Sequence, residues 1–543
     1  MSSLNLTGEF PQYPLTFAPK FMKSHSLSPN LFFFGLLVLA AGMPLSKAAM
    51  SIGQAILGLS WILAGNYSTR IKSFFNNKSA LALFSFFLLH LIGLLYTTDF
   101  AFAADSIRIK IPLLVIPFLI FTSEPLDAKK FNTLLSVFIG AVFAGTLISI
   151  AVLLGIIKKQ VTDIRDISIF ISHIRFSLLI CISIFLAGYF LLKNVKTNSF
   201  SKNILLGTLI LWLIVFLVIL ESVTGLSILT VVLFILVIKY ISGLKQAWIR
   251  YALFSMLILI PPAFAFYIQS EIKILDEKKL VDTSTLEKYT KLGNLYEYRP
   301  EIDEYENGNP VWMYVSTYEL GQEWDKRSTV PFRAKDERGQ LIEYTIMRFL
   351  TSKGLRKDAE GVIALSEDEI KSIERGVANV NYQSMTNISS RIRQILWELK
   401  KFSKGGNPSG HSVAQRIEFW RASLGVIENN LLVGVGTGDV KLALDAEYVK
   451  INSQLLEEKR LKSHNEYLLV GVTFGITGLL IFLISLFYPM FNENKTRDYF
   501  YLVFLCIILL SMLTEDTLET QAGATFFAFF NSIFLFRKNQ PPG

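Results

Sequence analysis

Charged residues and cysteine are both scarce in this chain of 543 residues. Only 18% of the residues are charged, against roughly 25% in soluble proteins, while 52% are hydrophobic and the mean hydropathy is +0.43. The two cysteines, Cys181 and Cys506, lie inside apolar runs, so they cannot build a disulfide framework or a cysteine zinc site. This composition excludes a soluble enzyme, a disordered chain and a collagen-like fibre.

Common cofactor motifs are missing as well. The sequence contains no Walker A motif, no dinucleotide-binding fingerprint, no HExxH and no histidines at metal-ligand spacing. Five histidines in the whole chain leave little scope for a multi-histidine site. We therefore expect no cofactor and no metal, and an enzyme of this composition would draw its driving force from an activated substrate.

Long apolar runs are what the chain has instead, and runs of about 18 residues or more are typical of membrane-spanning helices. They predict an all-α polytopic membrane protein with about twelve transmembrane helices. The predicted spans are 31–46, 49–65, 79–97, 109–122, 132–156, 172–192, 203–220, 224–242, 250–269, 465–490, 498–513 and 520–536.

Basic residues predict the orientation. They collect in alternate loops, as the cytoplasmic loops of membrane proteins do, so the net charge of +9 indicates membrane topology rather than nucleic-acid binding. Both termini are then cytoplasmic. Four basic residues fall on the outer side against this rule, which either marks an anionic substrate there or reflects the tolerance of a statistical rule: Arg108, Lys158, Lys159 and Arg165.

One long hydrophilic region separates the ninth and tenth spans. We divide the chain into a membrane region at 1–269, a large periplasmic, α-rich region at 270–463 and a second membrane region at 464–543. The periplasmic region divides further, into an added subdomain at 275–385, whose role the sequence does not indicate, and a helical part at 386–463.

Local patterns within that region predict its elements. Ser366 followed by three acidic residues predicts the start of a short helix over 366–376, and an apolar stripe predicts an amphipathic helix over 386–403. A Gly-rich loop follows, and a further helix runs from His411 to about residue 429. Apolar and polar residues alternate over 311–315, which is typical of a strand.

Two arginines are candidate anion-binding residues. Arg416 lies on the predicted helix after the loop, where an arginine fork can hold a phosphate through two bonds, or can simply pair with Glu418 or another carboxylate. Arg175 lies inside the sixth span, about two turns from its outer end. An ionisable residue at that depth points to a functional site, and the alternative is that the side chain extends to the interface.

The tenth span is preceded by further candidates. His464 can accept a proton from a hydroxyl group near neutral pH, or it can be a structural residue at a helix start, and Asn465 can orient it or donate to a sugar. Gly434, Gly436 and Gly438 permit either a close approach of the backbone to a ligand or a structural turn.

An acidic turn joins the last two spans. Glu515, with Asp516 and Glu519, lies at the predicted outer mouth of the membrane region. These carboxylates can bind acceptor sugars, pair with the basic residues of the site, or form an ordinary solvated turn.

With these residues in place, the chain resembles the O-antigen ligase and O-antigen polymerase family of bacterial membrane glycosyltransferases. The resemblance rests on 416–478: an Arg-containing helix that ends in Trp420, the Gly-x-Gly-x-Gly loop, the His464–Asn465 pair, and a Gly-x-x-Gly stretch within the next span. Twelve spans with a large loop before the tenth also match the family. The resemblance implies a GT-C-like fold in the bacterial inner membrane, with Arg175 corresponding to an essential arginine at the start of a span.

The chain departs from the family at the eighth span, where Val223 stands in the place of an arginine. A third cationic contact is therefore missing, or Arg165 or Lys159 supplies it. The external region is also longer than in most ligases.

The reaction implied is transfer of a glycan from undecaprenyl diphosphate to a hydroxyl acceptor, most simply lipid A-core, with inversion at the anomeric carbon. Arg175, Arg416 and His464 would be catalytic, while the three glycines, Asn465, Glu515, Arg165 and Lys159 would bind substrate. Membrane lipids are the other expected partners. Polymerase and protein O-oligosaccharyltransferase activities stay open, as does a secondary transporter of a small anion, although no repeat relates the two halves. A sensor lacks any cytoplasmic output domain.

Overall fold

The computed structural model describes residues 27–159, 161, 164–195, 200–276, 278–279, 286–337, 339–383 and 388–537, and it is predominantly helical. Ten helices precede the hydrophilic region. They are α1 (Leu27–Leu45), α2 (Lys47–Ala64), α3 (Tyr67–Asn76), α4 (Lys78–Ile92), α5 (Phe100–Phe121), α6 (Ala128–Leu153), α7 (His173–Val195), α8 (Phe200–Ile219), α9 (Val223–Ser242) and α10 (Ala247–Asp276).

The hydrophilic region contains seven helices and one short antiparallel pair of strands within its described parts. These are β1 (Tyr305–Glu306), β2 (Asn309–Pro310), α11 (Thr317–Arg327), α12 (Ile342–Ser352), α13 (Ala359–Ile363), α14 (Glu367–Glu374), α15 (Ile388–Ser403), α16 (Ser412–Asn429) and α17 (Val440–Lys450). Three apolar helices complete the chain: α18 (Glu466–Asn492), α19 (Tyr499–Thr514) and α20 (Gln521–Leu535).

The all-α polytopic membrane fold is confirmed at this level. Every predicted span overlaps a helix, and nine helices within the described residues are long and apolar enough to cross a membrane. The other three predicted spans fall on α5, which carries Arg108 and Lys110, and on α19 and α20, which are shorter than 18 residues. The number twelve and the orientation therefore stay predictions.

Polar caps explain where several of these helices begin. Asp99 accepts the backbone N–H of Phe102 at the start of α5, and Asn465 accepts that of Leu468 at the start of α18. Ser366 and Glu369 form a reciprocal capping box on α14, as the sequence predicts. Each cap satisfies N–H groups that would otherwise lack an acceptor at the helix end.

Three apolar cores hold the molecule together. The largest lies among the apolar helices, a second within 311–377, and a third joins α16, α17 and α18. The second core is centred on Trp324, which is fully buried, and it falls inside the predicted subdomain at 275–385.

Two local predictions need correction. Residues 311–314 form turns and bends rather than a strand, and only Val315 makes isolated bridges, to Glu297 and Lys357. The alternation in the sequence corresponds to alternating burial, because Val311, Met313 and Val315 are buried. However, Tyr314 has a φ of 55°, which interrupts an extended strand. In addition, the basic segment after α2 is the helix α3 rather than a loop.

Candidate active site

Glu515 is the centre of a compact charged cluster. Its carboxylate lies 2.7 Å from Nη2 of Arg416, 3.4 Å from Nδ1 of His464 and 4.0 Å from Nη1 of Arg175. Asp516 adds a second carboxylate, 3.7 Å from His464 and 3.8 Å from Arg175. The structure therefore brings together all three residues that the sequence predicts to be catalytic, around an acidic turn.

Four helix ends supply this cluster. Arg175 comes from the start of α7, Arg416 from the second turn of α16, His464 from the loop before α18, and Glu515 from the residue after α19. Glu515 is only 1% exposed, so the acidic turn is not a solvated one. Among the alternatives for this turn, pairing with basic residues is the one that the structure favours.

Arg175 lies closer to the helix end than the sequence suggests. It is the third residue of α7, within the first turn rather than two turns inside, because the helix begins at His173. The side chain is nonetheless only 14% exposed, and Nη2 donates to the carbonyl oxygen of Asp516 at 3.4 Å. The guanidinium is therefore directed at the acidic turn rather than at bulk solvent.

His464 is held in an unusual backbone conformation. Its φ is 45°, in the left-handed region that residues with a side chain rarely adopt. The ring stacks on Phe419 of α16, with 5.5 Å between the centroids and 28° between the planes. This packing fixes the imidazole with Nδ1 towards Glu515 and leaves Nε2 for another partner.

The pKa values of the two neighbouring carboxyl groups are shifted in opposite directions. Burial alone would raise the pKa of Glu515, but the hydrogen bond of His464 and the charges of Arg416 and Arg175 outweigh burial and hold that pKa below its usual range. For Asp516 burial is the larger effect, and its pKa is raised. Glu515 is therefore the carboxylate that stays ionised and anchors the cations.

Asn465 has both ends of its side chain occupied. Its oxygen caps α18 at Leu468, and its amide donates to the carbonyl oxygen of Leu513 at 2.9 Å. Asn465 therefore ties the start of α18 to the end of α19, which positions His464 and Glu515 relative to each other. A sugar contact by this side chain stays a prediction.

The glycine loop packs against a break in α18. Gly475 has φ 65° and ψ −164°, so helical hydrogen bonding stops there. The loop compensates, because Val435 and Gly436 donate to the carbonyl oxygens of Val472 and Thr473, and Ile476 donates to that of Leu431. Backbone groups freed inside an apolar helix must find such partners.

Close packing explains the glycines of this loop. A Cβ at Gly434 would lie 2.4 Å from the backbone of Thr473 and Phe474, and one at Gly438 would lie 2.1 Å from the carbonyl oxygen of Asp99. Gly436 has a φ of 90° and faces the carbonyl oxygen of Gly93. These neighbours favour the structural turn of the two alternatives, and direct contact with substrate stays a prediction.

We expect Gly438→Ala to destabilise the loop. The added methyl group must displace backbone, and such overpacking typically costs about 1–3 kcal/mol. The midpoint of thermal unfolding of the purified protein in detergent measures the effect. Gly58→Ala, in α2 where a Cβ meets nothing within 4 Å, is the matched control. Equal midpoints for the two variants would contradict the packing account.

The remaining predicted residues lie on the segment between α6 and α7. Lys159 and Arg165 are exposed there, and the Lys159 ammonium donates to the carbonyl oxygen of Asp166 at 2.5 Å. Their contact with a substrate stays a prediction. His411, where the sequence predicts the start of a helix, stands at the N-cap position of α16, and its Nδ1 lies 3.7 Å from Glu398.

A second ion cluster, not predicted from the sequence, adjoins the first. Glu519 lies 2.5 Å from Nζ of Lys110 in α5 and 2.8 Å from Nζ of Lys462, and Lys110 also donates to Ser106. Lys110 is 1% exposed. An ionisable residue inside a predicted span was the available signal, since such residues are costly unless paired. This cluster fixes the far end of the turn that carries Glu515.

The Glu519 cluster predicts acid sensitivity. Burial alone would raise the pKa of Glu519, but Lys110 and Lys462 outweigh burial and lower that pKa far below its ordinary 4.5. The ion pairs therefore stabilise the fold fully above about pH 4.5 and lose their contribution as pH falls towards the folded-state pKa. The lowered pKa of Glu515 likewise makes the fold less stable as pH falls. The raised pKa of Asp516 has the opposite effect on stability, because its contribution is lost as pH rises.

We expect Glu519→Gln to lower the stability at pH 7 by about 3–5 kcal/mol, since it leaves buried lysine charge without its partner. The unfolding midpoint of the variant should also fall less steeply below pH 4.5 than that of the wild type. Asp445→Asn removes an exposed pair with Lys441 and should change the midpoint little. A pH dependence as steep in Glu519→Gln as in the wild type would contradict the assignment.

A metal ion is a further chemical possibility for this cluster. One ligand atom from each of His464, Glu515 and Asp516 lies within 4.8 Å of the others. However, the guanidinium groups of Arg175 and Arg416 already contact these carboxylates and supply two positive charges. The cluster is therefore suited to an anion held by the two guanidinium groups at least as well as to a metal ion held by the carboxylates and the imidazole.

Comparison with known proteins supports the resemblance on the part of the chain that supplies Arg416 and His464 to this cluster. A family model described as O-antigen ligase matches residues 361–483, which include Arg416, the glycine loop and His464. No curated protein matches the chain significantly. Over residues 361–483 the resemblance predicted from the sequence is confirmed, because this stretch matches the model of the O-antigen ligase family.

Proposed function

We propose that the protein transfers a glycan from undecaprenyl diphosphate to a hydroxyl acceptor on the outer face of the bacterial inner membrane, as an O-antigen ligase acting on lipid A-core. The observation that carries this proposal is the convergence of Arg175, Arg416 and His464 on Glu515 at the ends of apolar helices. Two guanidinium groups beside an imidazole suit a reaction in which a diphosphate leaves and a hydroxyl group attacks.

The proposed step is a single displacement. The acceptor oxygen bonds to the anomeric carbon, the bond from that carbon to the diphosphate oxygen breaks, and the hydroxyl proton passes to His464. Negative charge grows on the leaving diphosphate, and Arg175 and Arg416 stabilise it as donors already in position. The sugar–diphosphate bond is activated, so the step requires neither a nucleotide nor a metal.

Glu515 acts in this step through His464. A carboxylate that accepts from Nδ1–H keeps the other ring nitrogen, Nε2, free of a proton and able to receive one from the acceptor. The separation of 3.4 Å between Nδ1 and Glu515 is at the long end of a hydrogen bond. Such contacts shorten when substrate binds.

Unsatisfied donors on α16 support a binding role for this helix. Nε of Arg416 and Nε1 of Trp420 are buried N–H groups without an acceptor among the described residues. The two residues are four positions apart and so share one face of α16. Buried donors usually have partners, and an acceptor on the glycan or the diphosphate would satisfy this pair.

We expect Trp420→Phe to raise the KM for the lipid-linked donor about threefold to tenfold, the value of one lost neutral hydrogen bond, with little change in kcat. Steady-state transfer assays with purified protein measure both constants. Trp312→Phe is the control and should leave KM unchanged, because the indole of Trp312 donates to Glu304 in the separate core. An unchanged KM in Trp420→Phe would remove the indole from the binding site.

The test is transfer in vitro with purified protein and a defined undecaprenyl-diphosphate glycan, offered lipid A-core, a second lipid-linked repeat unit or a Ser/Thr peptide. Glycan on lipid A-core supports a ligase, whereas product on either other acceptor would identify a polymerase or a protein O-oligosaccharyltransferase. Activity that survives EDTA supports the metal-free step. No transfer to any acceptor, together with anion uptake by proteoliposomes, would overturn the proposal in favour of a transporter.

A further inference from the structure

A polar cavity lies at the opposite end of the helices from the Glu515 cluster. It has a volume of about 130 Å³ and is formed by the start of α1, the end of α2, the helix α3, and the turn between α5 and α6. One water molecule needs about 15 Å³ by this kind of measure, so the cavity has room for a polyatomic ligand. Lys110, which contacts Glu519, precedes the end of α5 at Phe121 by 11 positions, or about 17 Å of helix, and Ser123 of the cavity wall follows two residues later.

Arg70 lines this cavity without a partner. Its side chain is 8% exposed in total, and Nε and Nη1 are buried without an acceptor in the described part of the chain. A buried guanidinium normally pairs with a carboxylate or a carbonyl oxygen, because desolvating an unpaired charge is costly. Nε–H and the hydrogens of Nη1 point to different sides of the planar guanidinium, so each donor needs an acceptor of its own, and an oxyanion in the cavity can satisfy one of them with a charge-assisted bond.

The other walls are compatible with an anion. Lys130 lines the cavity and adds a second positive charge, and Ser123 supplies a hydroxyl group. Asp127 lines it too, and one of its carboxylate oxygens accepts the backbone N–H of Lys130 as the cap of α6. Glu124 is exposed and acts on Arg70 only through its charge, without an ion pair within 4 Å. No carboxylate in the described wall therefore satisfies Nε or Nη1 of Arg70.

We propose that this cavity binds a phosphate-bearing anion through the Arg70 guanidinium, with Lys130 as a second cationic contact. In the predicted orientation the cavity opens on the cytoplasmic side, so the phosphate belongs either to the headgroup of an anionic lipid or to a soluble phosphate. The site is separate from the proposed transfer reaction, since about 17 Å of α5 lies between Lys110 and the end of this helix at the cavity.

The test measures binding to the purified, delipidated full-length protein. One arm titrates inorganic phosphate at constant ionic strength and follows the midpoint of thermal unfolding. The other compares vesicle-derived nanodiscs of phosphatidylcholine with nanodiscs that also contain phosphatidylglycerol, and native mass spectrometry counts the retained lipids. A response to phosphate identifies a soluble ligand, a response only to phosphatidylglycerol identifies a headgroup, and either supports the proposal.

The variants distinguish the cavity from general surface charge. We expect Arg70→Gln to weaken the response at least about tenfold, the value of one lost charge-assisted bond, whereas Lys72→Gln on the exposed face of α3 should match the wild type. Lys130→Gln should weaken it to a smaller extent and serves if Arg70→Gln fails to fold. Wild-type protein without a response, or equal responses in Arg70→Gln and Lys72→Gln, would overturn the proposal. So would Glu124→Gln destabilising the anion-free protein as much as Arg70→Gln, since Glu124 would then be the partner of Arg70.

Discussion

Glu515→Gln is expected to lower kcat for glycan transfer by about 10²–10⁴-fold, the usual value of a general base that is correctly oriented. The amide keeps the shape of the side chain but removes the negative charge that holds Nδ1 of His464 and Nη2 of Arg416. Initial rates at saturating donor and acceptor measure the loss. Glu428→Gln, on the exposed face of α16, is the control and should retain wild-type rates.

A double-mutant cycle separates the catalytic effect of Glu515 from a structural one. If Glu515 acts through His464, the same Gln substitution should cost at least about tenfold less in a His464→Ala background. The contact of Glu515 with both arginines accounts for the loss that persists there. An equal factor in the two backgrounds would mean that Glu515 serves only the arginines or the fold.

Arg416→Ala and Arg175→Ala should each reduce transfer by about 10²–10³-fold or more, the value of removing one donor that stabilises charge in the transition state. Arg416→Lys should recover only part of the activity, because lysine keeps the charge and loses the planar fork. Rates and membrane-extracted yield are measured together, so that failed insertion is recognised.

Arg421 provides the matched control for Arg416. It lies on the same helix, its side chain is 56% exposed, and its partner is Glu418 rather than Glu515. Arg421→Ala should therefore leave transfer nearly unchanged. Full activity in both Arg175→Ala and Arg416→Ala would remove the proposed site, whatever the result for Arg421.

Local elements were predictable from the sequence because their causes are local. α14 begins at Ser366 because Ser366 and Glu369, three residues apart, cap each other reciprocally. The apolar runs form helices because a backbone inside a membrane must satisfy its own hydrogen bonds. The alternation over 311–315 led to a wrong strand prediction, because the pattern indicates only which side chains are buried. The left-handed backbone at Tyr314, which interrupts the strand, depends on the surrounding core.

The candidate site divides in the same way. Sequence patterns single out Arg175, Arg416 and His464, because a charged side chain near a span and a histidine at a helix start are visible in the residues themselves. The central role of Glu515 is not visible, since its contact with Arg416 joins residues 99 positions apart, and the contact of Arg175 with Asp516 spans 341 positions. Lys110 and its pairing with Glu519 were overlooked for this reason too.

By itself the sequence determined that this chain is a helical membrane protein, and it singled out charged candidate residues, because hydropathy and side-chain chemistry belong to each residue. Only the tertiary structure decided which charges meet. Four helix ends, distant in sequence, bury one carboxylate among two guanidinium groups and an imidazole. At the other end of the helices, Nε and Nη1 of Arg70 have no acceptor among the described residues. Ion pairing falls off with distance and depends on burial, so it exists only once those ends have been packed together.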